Sequence, residues 1–239
     1  FGTHTYTFTE GVGSTGTESN GFQILSGNTV TLKNGKLDIA EGRKDKFYMV
    51  IQNYANLTLD GMTLDATNAD KWSATDGDSY ALSNNSGAVL IKDTTIIAND
   101  NGDLAYAFDV CKYGSYSVPN VTVNGASVIN GKIDTSNIGD AKLTIEAGTF
   151  SVKPDSKYVA SGYVAVQEGS VYTVKPEVKM TGIAMNKSSV SLTEGDTTTL
   201  SVSAVPSDTT DTMGTTTWAS SDEAIATVDQ NGKVTAKKA

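Results

Sequence analysis

The chain has 239 residues, with 27 Asp and Glu against 18 Lys and Arg for a formal charge of −9, a length that suits one or two domains. This acidity argues against a nucleic-acid or anionic-membrane binder, since both need basic surface. One cysteine and one histidine rule out a disulfide framework or a thiolate metal site within the chain, and no stretch approaches the roughly 20 apolar residues of a membrane span.

The first residues, Gly2, Thr3, His4, Thr5, Tyr6, Thr7, Phe8 and Thr9, alternate threonine with His4, Tyr6 and Phe8, which predicts a strand within segment 1–11 that packs on its His4 face. From residue 29 the chain repeats itself loosely: TVTLKNGKLDI (29–39), NLTLDGMTLDA (56–66), AVLIKDTTIIA (88–98), NVTVNGASVIN (120–130) and KLTIEAGTFSV (142–152). Each unit is an alternating strand, a polar corner with Gly, Asn or Asp, and a second alternating strand. Aligning Leu32, Leu59, Ile91, Val123 and Ile145 gives spacings of 27, 32, 32 and 22 residues, irregular for a strict code but suited to the rungs of a solenoid. The expectation is an all-β protein with a parallel β-solenoid over 12–174, the alternative being an antiparallel sandwich with the same turns. One short helical turn is expected between Pro154 and Ala160.

The variable spacing predicts long loops at 67–85 and 99–119, and candidate chemistry gathers there. Tyr54, Trp72 and Tyr80 lie near the first loop, and Tyr106, Tyr113 and Tyr116 near the second. Aromatic clusters of this kind suit carbohydrate stacking or protein contacts, or else pack the loops down. Asp76, Asp78, Asp100 and Asp103 are weak Ca²⁺ candidates that read first as polar turns, and no other cofactor or metal is expected. Asp60, Asp93, Asn124 and Glu146 recur at rung corners, where they are expected to be solvated. Arg43 and Lys44 stand without an acidic constellation, and Cys111 is expected to be a small buried hydrophobe. No catalytic residues are assigned, so the expectation is a protein that is not an enzyme.

Residues 148–174 have the composition of a cap, with Tyr158, Tyr163, Val164, Val166 and Tyr172 available to cover the last rung. After Lys175-Pro176-Glu177, segment 178–239 reads as a small sandwich. Leu200, Val202 and Ala204 alternate inward, Trp218 and Val228 complete the core, and Asn231-Gly232 forms a tight hairpin.

The solenoid pattern resembles the pectate-lyase-like right-handed β-helices of bacterial surface proteins, and its ending resembles a segment that follows such solenoids in gut Firmicutes proteins. Residues 178–239 closely resemble the bacterial Ig-like domain of group 2, called Big2. The matching features are the Gly195-Asp196 turn, the strand through Val205-Pro206, Trp218 with Ser220-Ser221-Asp222, and Ala226-Thr227-Val228-Asp229 leading to Asn231-Gly232-Lys233-Val234. These resemblances imply an extracellular, bacterial cell-surface setting; the expectation is a structural or adhesive protein whose partner is further copies of itself, with host or cell-wall glycans as a second candidate partner.

The Big2 pattern continues with a last strand beyond the Val-Thr-Ala segment, where this sequence stops, and Gly2–Thr9 resembles that strand. Three arrangements follow: donation of the strand to the next molecule in a head-to-tail filament, folding back onto its own domain, or one period of a tandem array. A phage virion appendage or decoration protein and a carbohydrate-binding or polysaccharide-degrading β-helix stay open as other classes.

Overall fold

Alternating apolar residues in short runs need a second layer before they are worth burying, and stacked coils provide it. The computed structural model describes residues 2–12, 19–42, 46–70, 79–99 and 105–238. Two compact units divide the chain, Phe1–Pro176 and Glu177–Ala239, with the boundary in the Lys175-Pro176-Glu177 linker.

The N-terminal unit is a β-solenoid. Its strands are β1 (Thr5–Phe8), β2 (Asn20–Ile24), β3 (Thr29–Ile39), β4 (Met49–Asn53), β5 (Asn56–Asp65), β6 (Ser79–Asn84), β7 (Ala88–Lys92), β8 (Thr95–Ile97), β9 (Ala105–Asp109), β10 (Asn120–Asn124), β11 (Val128–Asn130), β12 (Lys132–Asp134), β13 (Lys142–Ile145) and β14 (Gly148–Phe150). Strands β3, β5, β7, β8, β10, β11, β13 and β14 form one parallel sheet that bends at a corner. Strands β2, β4, β6, β9 and β12 form a second parallel sheet.

The register of the first sheet reproduces the sequence alignment residue for residue: Leu32 pairs with Leu59, Leu59 with Ile91, Ile91 with Val123, and Val123 with Ile145. Leu59, Leu64, Ile91, Ile96, Val121, Val123, Ile129 and Ile145 are fully buried in one continuous core. Four successive coils place a left-handed residue at equivalent register of the corner, Asn34 (φ 50°), Gly61 (φ 68°), Asp93 (φ 49°) and Gly125 (φ 62°), with Gly35 (φ 111°) following Asn34 in the first. Gly accepts this conformation freely and Asn and Asp tolerate it, which is why the corner is spelled with those three residues. Asp93 also accepts the Ala126 amide at 2.7 Å, and Asp60 sits between Lys33 at 3.3 Å and Lys92 at 3.4 Å. Those bonds hold the Asp60 carboxyl below its ordinary value, the Lys33 hydrogen bond foremost.

The ends of the solenoid are closed differently. At the N-terminal end β1 pairs in parallel with β3, Thr5 opposite Lys36 through Phe8 opposite Ile39. Phe8 is buried there, its ring 5.1 Å from Phe22 and 6.5 Å from Phe47, while Tyr6 remains 53% exposed. The strand read as a donor for the Ig-like domain therefore serves in this chain as the first turn of the solenoid. His4, expected on the packing face, precedes β1 and is exposed; of the face it shares with Tyr6 and Phe8, only Phe8 is buried.

At the other end, a hairpin of β15 (Tyr163–Glu168) and β16 (Val171–Pro176) joins β14 in antiparallel pairing. The short turn around Ser156–Tyr158 is present as a 3-10 turn capped by Asp155. Tyr158, Val159, Ala165 and Tyr172 pack against the core from this cap. Tyr163 instead faces solvent.

The C-terminal unit holds β17 (Gly182–Met185), β18 (Thr197–Thr199), β19 (Val202–Val205), β20 (Ala226–Val228) and β21 (Lys233–Ala236). β17 pairs with β19, and β18, β21 and β20 form a second antiparallel sheet. The Asn231-Gly232 hairpin forms as expected, with Asp229 accepting the Asn231 and Lys233 amides at 2.9 Å each. Gly232 (φ 76°) lets the turn close, since a Cβ there would lie 2.3 Å from the Leu200 carbonyl oxygen and 3.2 Å from the Trp218 ring. Leu200, Val202, Trp218 and Val228 gather in this unit but are only half-buried.

Candidate functional site

The second solenoid sheet was not legible in the repeat and carries a polar and aromatic surface. Its registers stack outward-facing residues from coil to coil. One row runs Gln23, Gln52, Ser83, with Asp109 and Asp134 following on β9 and β12; a second runs Asn20, Met49, Tyr80, Tyr106, Lys132. Between these rows and the next face lie the buried Asn53 and Asn84. Asn53 Nδ2 donates to the Ala55 carbonyl at 3.0 Å and Asn84 Nδ2 to the Asp109 carbonyl at 3.1 Å, satisfying backbone that turns sharply inside the molecule.

The polar row is wired along the solenoid axis. Gln52 Oε1 accepts from Gln23 Nε2 at 2.8 Å and from Asn20 Nδ2 at 3.0 Å. Asp109 accepts the Ser83 hydroxyl at 3.1 Å and the Asn84 amide. Asp134 lies directly opposite Asp109 on the neighbouring strand and accepts the Tyr80 hydroxyl at 2.9 Å and the Ser136 amide at 2.8 Å. Burial pushes the Asp109 carboxyl up to about 7, with the nearby Asp134 charge adding to the effect and the two donated hydrogen bonds opposing it.

One wall of this surface is aromatic. Tyr54, just past β4, lies 4.8 Å from Tyr116 and 6.1 Å from Tyr113, ring centre to ring centre. The loop carrying Tyr113 and Tyr116 is tied down by Lys112, whose Nζ donates to the Gly114 and Tyr116 carbonyls at 3.2 and 2.8 Å. Burial, then the other two phenols and Asp109, push the Tyr54 hydroxyl up to about 12. Cys111 belongs to the same wall. It is half-buried rather than enclosed, and burial followed by Asp109 and Asp134 raises its thiol to about 11, so it is held as an unreactive thiol.

Together these residues line a groove of about 550 Å³ that includes Gln23, Gln52, Ser83, Asp109, Asp134 and the three wall tyrosines. Such a size suits a small ligand or a segment of a polymer. Exposed tyrosine faces stack on apolar sugar faces, and the wired amides and carboxylates offer fixed hydrogen-bonding positions at one-rung intervals.

Of the aromatic residues singled out in sequence, Tyr54, Tyr80, Tyr113 and Tyr116 meet in this groove. Tyr106 stacks on Tyr80 at 5.6 Å and borders a smaller cleft with Lys132 and Pro154. Trp72 and the Ca²⁺ candidates Asp76, Asp78, Asp100 and Asp103 lie outside the described residues, as do Arg43 and Lys44. Among the described residues, no three His, Cys, Asp or Glu side chains are grouped to hold a metal. Gln52, Ser83, Asp109 and Asp134 had gone unnoticed. Their signal is an apolar-polar pair ahead of each rung: Phe22-Gln23, Ile51-Gln52, Leu82-Ser83, Phe108-Asp109 and Ile133-Asp134.

Comparison with known proteins adds one match: the family model of the bacterial Ig-like domain (group 2) covers residues 177–239. No curated protein and no solved structure matches the chain. Among the described residues, no helix is long and apolar enough to cross a membrane. The chain is thus an all-β protein in which a β-solenoid precedes an Ig-like domain of the Big2 family, a domain that occurs in bacterial surface proteins and suggests a surface or adhesion-type role.

Proposed function

We propose that the protein acts outside the bacterial cell as a non-enzymatic adhesive protein that holds glycans in the solenoid groove. The observation that carries this reading is the wall of Tyr54, Tyr113 and Tyr116 standing beside the wired polar row of Gln52, Ser83, Asp109 and Asp134. Exposed aromatic faces next to ordered polar groups provide stacking and directed hydrogen bonds together, the pairing that a sugar ring requires. The test is calorimetric titration of the whole chain with soluble cell-wall and host-type oligosaccharides, repeated with Tyr116→Ala. Binding that weakens about tenfold or more in the variant, with no release of reducing ends, supports the reading; a chain that binds no oligosaccharide overturns it.

A second reading concerns assembly and is favoured by a separate observation. The Ig-like unit keeps an apolar groove of about 320 Å³, lined by Met185, Val190, Leu200, Ile225, Val234 and Ala236. We propose that strand Gly2–Thr9 of another copy fills it, so that copies join head to tail into a filament. Donation exchanges the pairing of β1 with β3 for pairing in the neighbour's groove, so the two states compete. Deleting residues 1–10 should leave monomers by size-exclusion chromatography and negative-stain microscopy, and a deletion variant that still assembles rules out strand donation.

A further inference from the structure

The glycan reading does not say what kind of glycan, and the charge of the groove narrows the choice. Among the described residues that line it, the ionisable acids are Asp109 and Asp134, with no lysine or arginine. The nearest cations in sequence are Lys132, two residues before Asp134 and on the smaller cleft beside Tyr106, and Lys112, whose ammonium donates to the Gly114 and Tyr116 carbonyls. The two carboxyls occupy opposite positions on adjacent parallel strands, which run roughly 4.8 Å apart. Asp109 is 7% exposed. Two carboxyl groups held this close in a partly dry site repel when both are charged, and an acidic sugar entering beside them adds to the repulsion. A cation entering the groove relieves it.

The wall opposite has the complementary property. Tyr113 and Tyr116 are 52% and 40% exposed, so part of each ring is open to solvent beside its aromatic neighbours, and tyrosine faces attract cations through the ring quadrupole. Aromatic faces favour an organic ammonium over Ca²⁺, which seeks six to eight oxygen ligands. Each carboxylate oxygen has two acceptor positions, and each Asp134 oxygen has one in use, by Tyr80 and by Ser136. The remaining positions can accept from an ammonium group.

We infer that the groove recognises a glycan bearing ammonium groups, with Asp134 taking the cation and Tyr54, Tyr113 and Tyr116 stacking beside it. This rests on the glycan reading above and deepens it. The ammonium could belong to an amino sugar that lacks its acetyl group or to a choline substituent, and the probes separate the two.

The experiment is calorimetric titration of the whole chain, in mildly acidic low-salt buffer, with oligomers of glucosamine, oligomers of N-acetylglucosamine, oligogalacturonate and choline chloride. The inference expects glucosamine oligomers to bind about tenfold or more tightly than acetylated ones, and oligogalacturonate not to bind. Added salt and Asp134→Asn should each weaken the glucosamine oligomers and leave the acetylated ones unchanged. Choline chloride binding with the same dependence on Asp134 supports the inference through the other source. Equal affinity for acetylated and free-amine oligomers overturns the ammonium inference and leaves the glycan reading intact. Failure of every oligosaccharide overturns that reading, and failure of both amine probes overturns the inference. Circular dichroism and melting of Asp134→Asn, whose side chain lies at the surface of the groove, distinguish lost recognition from lost folding.

Discussion

The two units of the chain use the same alternating residues and obtain very different cores. In the solenoid, Leu59, Ile91, Val123 and Ile145 are each at 0% exposure, because every coil is covered by the next. In the Ig-like unit, Ile183 remains 63% exposed and Ile225 56%, and Trp218 is only half-buried. Alternation alone therefore does not secure burial; what matters is how many layers the alternation is stacked against. A stacked coil uses its neighbour on each side, whereas two small sheets with an apolar groove between them leave part of their inner faces wet.

The largest expected effect tests that contrast directly. Phe108→Ala, in the solenoid core, should cost about 3 to 5 kcal/mol by denaturant unfolding, and Trp218→Ala, in a half-wet site, less than half of that. Equal costs would mean that the Ig-like core is better closed than its exposures indicate. The same reasoning expects two unfolding transitions in a thermal scan, with the Ig-like unit melting first; a single cooperative transition would break the comparison.

Backbone fit comes next. Gly87 (φ 85°) turns the chain from β6 to β7, and a Cβ there would lie 2.2 Å from the Ala55 carbonyl oxygen. Gly87→Ala should therefore cost on the order of 2 kcal/mol or more, read as a drop in the melting temperature of the solenoid transition alone. At Gly195 (φ 86°) of the Ig-like unit a Cβ would meet no atom within 4 Å, so only conformational strain remains and about 1 kcal/mol is expected.

A further effect is confined to pH. Asp109 titrates at about 7 in the folded protein and near its ordinary value in the unfolded chain, so the folded state binds the proton more tightly. Stability should fall as pH rises from about 4 to about 7 and flatten above that. Asp109→Asn keeps a carbonyl oxygen for the Asn84 amide and should remove the slope, as measured by urea unfolding at several pH values. An unchanged slope would place the titrating group elsewhere. The smallest effect belongs to the surface pair of Lys36 and Asp65, 2.7 Å apart: Lys36→Ala should cost under about 1 kcal/mol, and less in high salt.

How far the sequence could be read follows the same physics. The first solenoid sheet was legible because its strands alternate strictly and its corners are written with Asn, Asp and Gly; Leu32, Leu59, Ile91, Val123 and Ile145 align in sequence as they pair in space. Of the second sheet, β6 and β9 fall in the segments read as loops, and β2, β4 and β12 were not assigned. Its strands interrupt the apolar pattern with the buried Asn53, Asn84 and Asp109, polar residues that fill backbone and side-chain hydrogen bonds within the solenoid. The groove was half legible. Its tyrosines stand out in any composition, whereas Asp109 and Asp134 resemble ordinary turn residues until the strand register sets them side by side.

The closure of the solenoid by β1 at one end and by an antiparallel hairpin at the other gives the molecule a weak end and a strong end. β1 contributes four paired residues anchored by Phe8, whereas β15 and β16 pair over six and lock onto β14. A pulling force applied to the N-terminal segment would peel β1 first and then unwind the coils in order, each surrendering about 22 to 32 residues, the spacing between successive rungs. At roughly 3.5 Å per extended residue, every step lengthens the tether by about 80 to 110 Å. Under tension the solenoid would act as a stepwise shock absorber, yielding one coil at a time while the coils beyond it stay folded.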